Sequence, residues 1–277
     1  MEPRHLTVEI AAGCLDVLEW GTDGPARDTV LALHGFPESA WEWASVAGLV
    51  TGRGIRVVAP MQRGYSAGAR PTAVDAYAIE QLGADALAVV DHLGLARVHV
   101  LGHDWGASVA WWLAAHHPDR VQTLCAVSIP HLSAFTEALD TDPEQRARSG
   151  YFGLFRQQHK AEDVLLEGGA LRLQAMFGGE VSDEQMRRHL AVVGDRAGLT
   201  AALNWYRAMR RHDLPVVTVP TTYIWGERDL AVARSGAEAT ASWVTGEYRF
   251  VPVPDGGHWL PERHPELVAA EVLARLG

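Results

Sequence analysis

Apolar and polar positions change rhythm along this chain, and the changes mark out its elements. LTVEI and CLDVLEW, parted by Ala-Ala-Gly, read as the two strands of an opening hairpin. TVLALHG, IRVVAP and VHVLGHD are short runs with almost no alternation, the pattern of strands covered on both faces. Between the last two, IEQLGADALAVVDHLGL repeats apolar residues every three or four positions and ends at Gly94, which predicts an amphipathic helix closed by a glycine C-cap. VQTLCAVSIP and, far downstream, VPTTYIWGERD and GEYRFVPVPDGGH add three more strands. Buried strands alternating with amphipathic helices predict an α/β fold on a mostly parallel sheet.

From about 131 to 213 the rhythm differs. No β-branched run occurs there, and EDVLLEGGALRLQAMF, SDEQMRRHLAVV and GLTAALNWYRAMRRH carry helical spacing instead. The expected organisation is one sheet domain, residues 1–130 and 214–277, interrupted by a helical insertion over 131–213. Within the insertion TDPEQRARSG, bearing Pro143 and Gly150, is expected as a loop or short exposed helix whose charges face water.

With 277 residues, 48% hydrophobic and 21% charged, the chain can bury a large core. A formal net charge of -10 with both signs interspersed leaves no basic stripe to follow a phosphate backbone, so nucleic acid is not an expected partner. Cys14 and Cys125 have neither metal-ligand nor disulfide-framework spacing and are expected as buried free thiols. Neither an apolar run of about 18 residues nor an export-type leader is legible, so the expectation is a cytoplasmic protein without a membrane span.

The chemistry concentrates in VHVLGHDWGASVAWWLAAHH, which reads as strand, tight turn and helix. In that setting G-x-S-x-G is a nucleophile elbow; residues 102–106 here are Gly-His-Asp-Trp-Gly, with Asp104 at the nucleophile position. Gly102, Gly106 and Ala107 are small enough for strand and helix to approach and for position 104 to take a strained backbone. The helix N-terminus beside it favours a negative charge. HGFPES, residues 34–39, follows the strand TVLAL, where loop N–H groups and that of the residue after the nucleophile form an oxyanion hole; Phe36 and Trp105 are the expected donors. Asp229 in YIWGERDLAV and His258 in PDGGHWLPERHPE each follow a late strand, in the order nucleophile, acid, histidine. Glu227 is the rival acid, shallower in its loop, and His264 the rival base, without a glycine-flanked loop. His116, His117, His159, His189 and His212 lie in polar or helical contexts and are set aside.

Together HGFPES, GHDWGA and LNWYR at 203–207 resemble the α/β-hydrolase superfamily over essentially the whole chain, and within it the epoxide hydrolase and haloalkane dehalogenase branch. The resemblance implies an eight-stranded, mostly parallel sheet flanked by helices, with 131–213 as a helical cap. An aspartate nucleophile suits attack at saturated carbon, because water can cleave the ester it leaves but not readily the ether a serine would leave. His258, oriented by Asp229, would then activate water against the ester at Asp104. An epoxide opens to a basic alkoxide and needs a proton donor. Epoxide hydrolases use two cap tyrosines, matched here by Tyr206 in LNWYR and Tyr151 in RSGYFGLF, and the resemblance also sets His34, Pro37, His103 and Trp205 around the substrate.

The expected reaction is therefore hydrolysis of a small hydrophobic epoxide to a vicinal diol, with no cofactor and no metal, by a monomer or homodimer. A haloalkane or haloacetate dehalogenase would use the same Asp104 and His258, with indole donors such as Trp105 and Trp205 for the halide. Haloalkane dehalogenases typically carry Asn where Phe36 stands, however, and the cap His-Trp pair of fluoroacetate dehalogenases is not found near Tyr151. A non-catalytic ligand-binding protein on this fold is the weakest alternative, since every catalytic position is filled.

Overall fold

The computed structural model describes residues 1–21, 26–211 and 213–276. Its hairpin runs from β1 (Arg4–Ile10) to β2 (Gly13–Trp20), paired antiparallel from Arg4↔Glu19 to Ile10↔Gly13. Six more strands follow: β3 (Asp28–Leu33), β4 (Ile55–Pro60), β5 (Val98–His103), β6 (Val121–Val127), β7 (Thr221–Gly226) and β8 (Tyr248–Val253). They make one eight-stranded sheet ordered β1-β2-β4-β3-β5-β6-β7-β8. β2 pairs antiparallel with β4, and every pair beyond is parallel. The central strands β5 and β7 are buried along their whole length, whereas edge strand β1 buries only Val8. That difference is why the former read as unbroken apolar runs and the latter as an alternating one.

Helices α1 (Ala44–Val50), α2 (Ile79–His92) and α3 (Trp105–His116) connect the first parallel strands, with Gly94 at φ 67° just beyond the end of α2. Among the described residues six helices lie between β6 and β7: α4 (Leu132–Thr141), α5 (Pro143–Arg148), α6 (Phe152–Phe155), α7 (Lys160–Ala175), α8 (Asp183–Val193) and α9 (Arg196–Ala208). The chain closes with α10 (Arg234–Ala239), α11 (Leu260–Arg263) and α12 (Pro265–Leu276). Starts within the insertion follow local capping chemistry. Asp142 accepts the Glu144 N–H ahead of Pro143, Ser182 and Gln185 form a capping box, and Asp195 accepts the Gly198 N–H.

The insertion is held to the sheet domain by buried polar contacts. The Trp205 indole donates to the Arg63 carbonyl at 2.9 Å. Gln145 in α5 is buried, donating to Ala231 O and accepting from Ala233 N, both on the loop after β7. TDPEQRARSG is thus a short, mostly exposed helix anchored by buried Gln145, with Arg148 also donating to Val232 O and Asp142 accepting the Ser235 hydroxyl.

Three local expectations are corrected. EDVLLEGGALRLQAMF is not one regular helix: α7 breaks at Glu167–Ala170, where Gly168, Gly169 and Ala170 have φ of 63°, 80° and 65°, the left-handed region that a Gly-Gly pair admits without steric penalty. α9 stops at Ala208, before Met209-Arg210-Arg211. Cys125 is buried but Cys14 only half-buried; both thiols are free. His212 lies outside the described residues. Among the described residues no helix is long and apolar enough to cross a membrane.

Candidate active site

The turn between β5 and α3 holds Asp104 at φ 49° and ψ -121°, a sparsely populated conformation kept only where the surroundings over-determine it. The glycines supply that constraint. A Cβ on Gly102 would meet Gly106 O at 2.4 Å, and one on Gly106 would meet Leu33 O at 1.9 Å. Asp104 Oδ1 accepts the Phe36 N–H at 2.9 Å. Trp105 opens α3, so its N–H is one of the first-turn donors that have no carbonyl partner within the helix. Asp104 Oδ2 faces His258 Nε2 at 3.5 Å.

His258 Nδ1 lies 3.1 Å from both oxygens of Asp229. The loop after β7 fixes that carboxylate through the Ala231 and Val232 N–H groups, at 2.7 and 3.1 Å. Glu227 pairs with Arg234 at the surface instead, and His264 caps α11 away from the cavities. A residue not anticipated completes the group: the Ser128 hydroxyl donates to Asp229 Oδ2 at 2.6 Å and lies 3.0 Å from His258 Nδ1. Ser128 follows β6 at φ 68°, with its carbonyl held by the Tyr223 hydroxyl at 2.6 Å. Its only signal in the sequence is its place at the carboxyl end of a central strand, where ligands bind in such sheets.

Charge is balanced tightly here. Burial disfavours the His258 imidazolium, but the Asp229 charge and hydrogen bonds to Asp104 and Asp229 outweigh it and raise the pKa to about 10. Burial would raise the Asp229 pKa, yet His258, Ser128 and the Ala231 N–H hold it below the ordinary carboxylate value. Burial, reinforced by the Asp104 charge, pushes the Tyr151 and Tyr206 hydroxyls well above 10. Both phenols therefore keep their protons at neutral pH.

Two cavities meet at this point. One, of about 270 Å³, is lined by Phe36, Phe155, Leu165, His258 and Trp259; the other, of about 50 Å³, by Trp105, Ile129, Leu132 and Phe135. Asp104, Tyr151, Tyr206 and Ala231 line both. The tyrosine rings are 6.1 Å apart, and Tyr206 packs edge-on against Phe36 and Trp105 at 5.4 and 5.2 Å.

His34, Pro37, His103 and Trp205 are not on these walls, which corrects their expected place around a substrate. His34 is fully buried with Nε2 accepting the Gln62 N–H. Pro37 is buried, and the Trp205 indole N–H is already given to Arg63 O. His103 points behind the elbow, Nδ1 to Glu38 at 2.8 Å and Nε2 to the His258 carbonyl at 2.9 Å. A carbonyl and a carboxylate can only accept, so both ring nitrogens donate and His103 is an imidazolium. Burial opposes that charge, but Glu38 raises the pKa to about 9.

Behind it lies a buried polar network. His189, set aside on sequence, is fully buried on α8, with Nδ1 2.9 Å from Ser39 Oγ and Nε2 2.7 Å from Glu262. It falls at helical spacing with Met186 and Val193, on the face α8 turns to the core, and that position was its signal. Glu38, His189 and Glu262 form one group, and Glu38, Glu42 and His103 another, whose nitrogen and oxygen atoms lie within 4.8 Å of one another. Burial, helped by Glu38, pushes Glu42 well above the ordinary carboxylate value and Glu262 to about 7. Among the described residues these imidazole and carboxylate groups are the ones clustered closely enough to ligate a cation, and here His103 pairs with Glu38 and His189 with Glu262.

The chain matches the family model described as alpha/beta hydrolase fold over residues 28–265. It is 31% identical to an AB hydrolase superfamily protein of Bacillus subtilis (strain 168), over 92% of this chain and 91% of that one. It is 30% identical to epoxide hydrolase A of Mycobacterium tuberculosis, over 98% of this chain and 96% of that one. Among solved structures, that of epoxide hydrolase A from Mycobacterium thermoresistibile superposes with a TM-score of 0.85 at 30% identity, covering 99% of this chain and 98% of the other. Fold, elbow and full-length similarity converge: this chain belongs to the alpha/beta hydrolase fold family.

Proposed function

We propose that this protein hydrolyses epoxides to vicinal diols through an alkyl ester at Asp104, with residues 131–213 acting as a cap over the reacting centre. The observation that carries the proposal is the pair Tyr151 and Tyr206, one partly buried and one buried, whose rings line the same cavities as Asp104. Asp104 attacks a ring carbon while a tyrosine gives its proton to the departing ring oxygen. Esterification removes one of the two carboxylates that hold the His258 proton, so its basicity falls when a base is needed. His258 gives that proton to the tyrosinate, then as the neutral imidazole takes one from water, and the hydroxide adds to the ester carbonyl.

The Phe36 and Trp105 N–H groups stabilise the oxyanion formed at Asp104 Oδ1. Collapse expels the diol oxygen, which takes the His258 proton, and the acid left at Asp104 gives its proton back to His258, 3.5 Å away. Water and epoxide are consumed and every group is restored. The relatives named epoxide hydrolase, near 30% identity over almost the full chain, support the same substrate class. Halide release is the poorer fit, because the Trp205 N–H is committed to Arg63 O.

Single turnover in ¹⁸O-water should place label in the Asp104 carboxylate, and His258→Gln should accumulate a protein heavier by the mass of the epoxide. Diol formed with label never entering Asp104 would exclude the ester route.

A further inference from the structure

The cavities that meet at Asp104 differ in charge at their far ends. Thr136, Phe152, Met209 and Arg210 line the small chamber beside Trp105 and also a third cavity of about 390 Å³, so the two are neighbours on either side of these four side chains. Arg146, Arg156 and Arg211 complete that cavity's basic wall: among the described residues four arginines face it and no carboxylate does. In a chain with 24 Lys and Arg against 34 Asp and Glu, this is a local reversal of sign.

The guanidinium groups are partly held from behind. Arg156 Nε donates to the Tyr206 carbonyl at 3.1 Å, and the group lies over the Phe152 ring at 5.7 Å. Arg146 Nη1 donates to the Leu139 and Asp140 carbonyls at the end of α4. Arg211 is neutralised by both oxygens of Asp140. Arg210 is exposed and has no hydrogen bond or ion pair among the described residues. Arg146, Arg156 and Arg210 therefore keep N–H donors for an incoming anion. The opposite arm, beside His258, carries the reverse sign: Glu180 lines it together with exposed Leu230, and among the described residues no Lys or Arg does.

We infer that the arginine-lined cavity is a carboxylate subsite and that the substrate is an amphiphile, an epoxide within an apolar chain that ends in a carboxylate. This inference rests on the epoxide reading of the site. The carboxylate sits among Arg146, Arg156 and Arg210, the chain threads past Thr136 and Phe152, the ring lies between Asp104 and the tyrosines, and the remaining tail fills the arm beside His258. Glu180 repels the carboxylate from that arm, so the ring is presented in one direction.

The test compares 10,11-epoxyundecanoic acid with its methyl ester in the same enzyme preparation, using the ratio of their kcat/KM values. The acid should exceed the ester by about tenfold at low ionic strength, mainly through KM, and molar salt should erase the difference because exposed charges are screened over a few ångströms there. Arg210→Glu should bring the ratio to about one or below; the side chain is exposed, so the variant should fold. Calorimetry with undecanoate and undecanol gives a readout independent of turnover. Ester turnover with a ratio of one, or a ratio that Arg210→Glu leaves unmoved, overturns the subsite while epoxide hydrolysis stands. If neither compound reacts but undecanoate binds dependent on Arg210, the subsite stands and the reaction fails. If undecanoate binds no better than undecanol, the subsite falls.

Discussion

Gly35 offers the sharpest test of how Asp104 is positioned. Its backbone is not in the left-handed region, so nothing local demands glycine there. The demand comes from across the sheet, where a Cβ on Gly35 would lie 2.5 Å from Asp104 Cβ and 2.9 Å from Asp104 Oδ1. Ordinary contact begins at 3.4 Å, so Gly35→Ala must open the gap by about 0.9 Å. Asp104 has little room to yield: its backbone is fixed by the Gly102–Gly106 approach and its Oδ1 by the Phe36 N–H.

A misplacement of about 1 Å costs roughly a hundredfold in rate, whereas overpacking at one site costs about 1–3 kcal/mol of stability, which leaves the protein folded. Gly48 is the control: it lies exposed in α1, where an added Cβ would meet nothing within 4 Å, and Gly48→Ala should be neutral or stabilise by up to about 1 kcal/mol. The assay is the single-turnover rate of ester formation on an epoxide, beside a thermal melt. A folded Gly35→Ala protein that forms ester within threefold of the wild-type rate would refute the reasoning.

Further expectations follow from the same geometry. Tyr206→Phe should slow ester formation by about 10²–10³, measured by rapid quench, and the double change with Tyr151→Phe should abolish it; a wild-type burst would remove the phenols from the chemistry. Stability should decline with rising pH. Folded His103, His258 and Glu262 titrate near 9, 10 and 7, all above their unfolded values, so each contributes stability at low pH that is lost as pH rises through the folded pKa. Buried His34 and His131, whose folded pKa values lie near 4, oppose this trend only up to about pH 7, so melts from pH 7 to 10 should fall throughout, and less steeply in His103→Gln; a flat wild-type profile contradicts this. His189→Leu strands Ser39 and Glu262 inside the protein and should cost about 3–5 kcal/mol by urea titration, with a loss under 1 kcal/mol counting against a buried pair.

Much was legible because it is local. Strand runs covered on both faces, caps at Asp142, Ser182 and Asp195, and a strained turn between two small residues are dictated by neighbours in sequence. The break in α7 was also written in a Gly-Gly pair, but helical spacing on either side masked it. Misplaced residues share another cause. His34, His103 and Trp205 stand in or beside the catalytic motifs, yet motif membership does not say which way a ring points, and all three point into packing.

Sequence alone determined the sheet and the run of helices between β6 and β7, and it put an aspartate at the glycine-flanked turn, the residue type on which the proposed ester route depends. Only the tertiary structure decided which groups support it. Ser128 reaches Asp229 across 101 positions and His258 across 130; His189 meets Ser39 across 150; four arginines from three segments gather on one cavity wall. No periodicity or motif encodes such meetings. They exist because burying the sheet's faces brings distant polar groups together, and a buried polar group must then find its partner there.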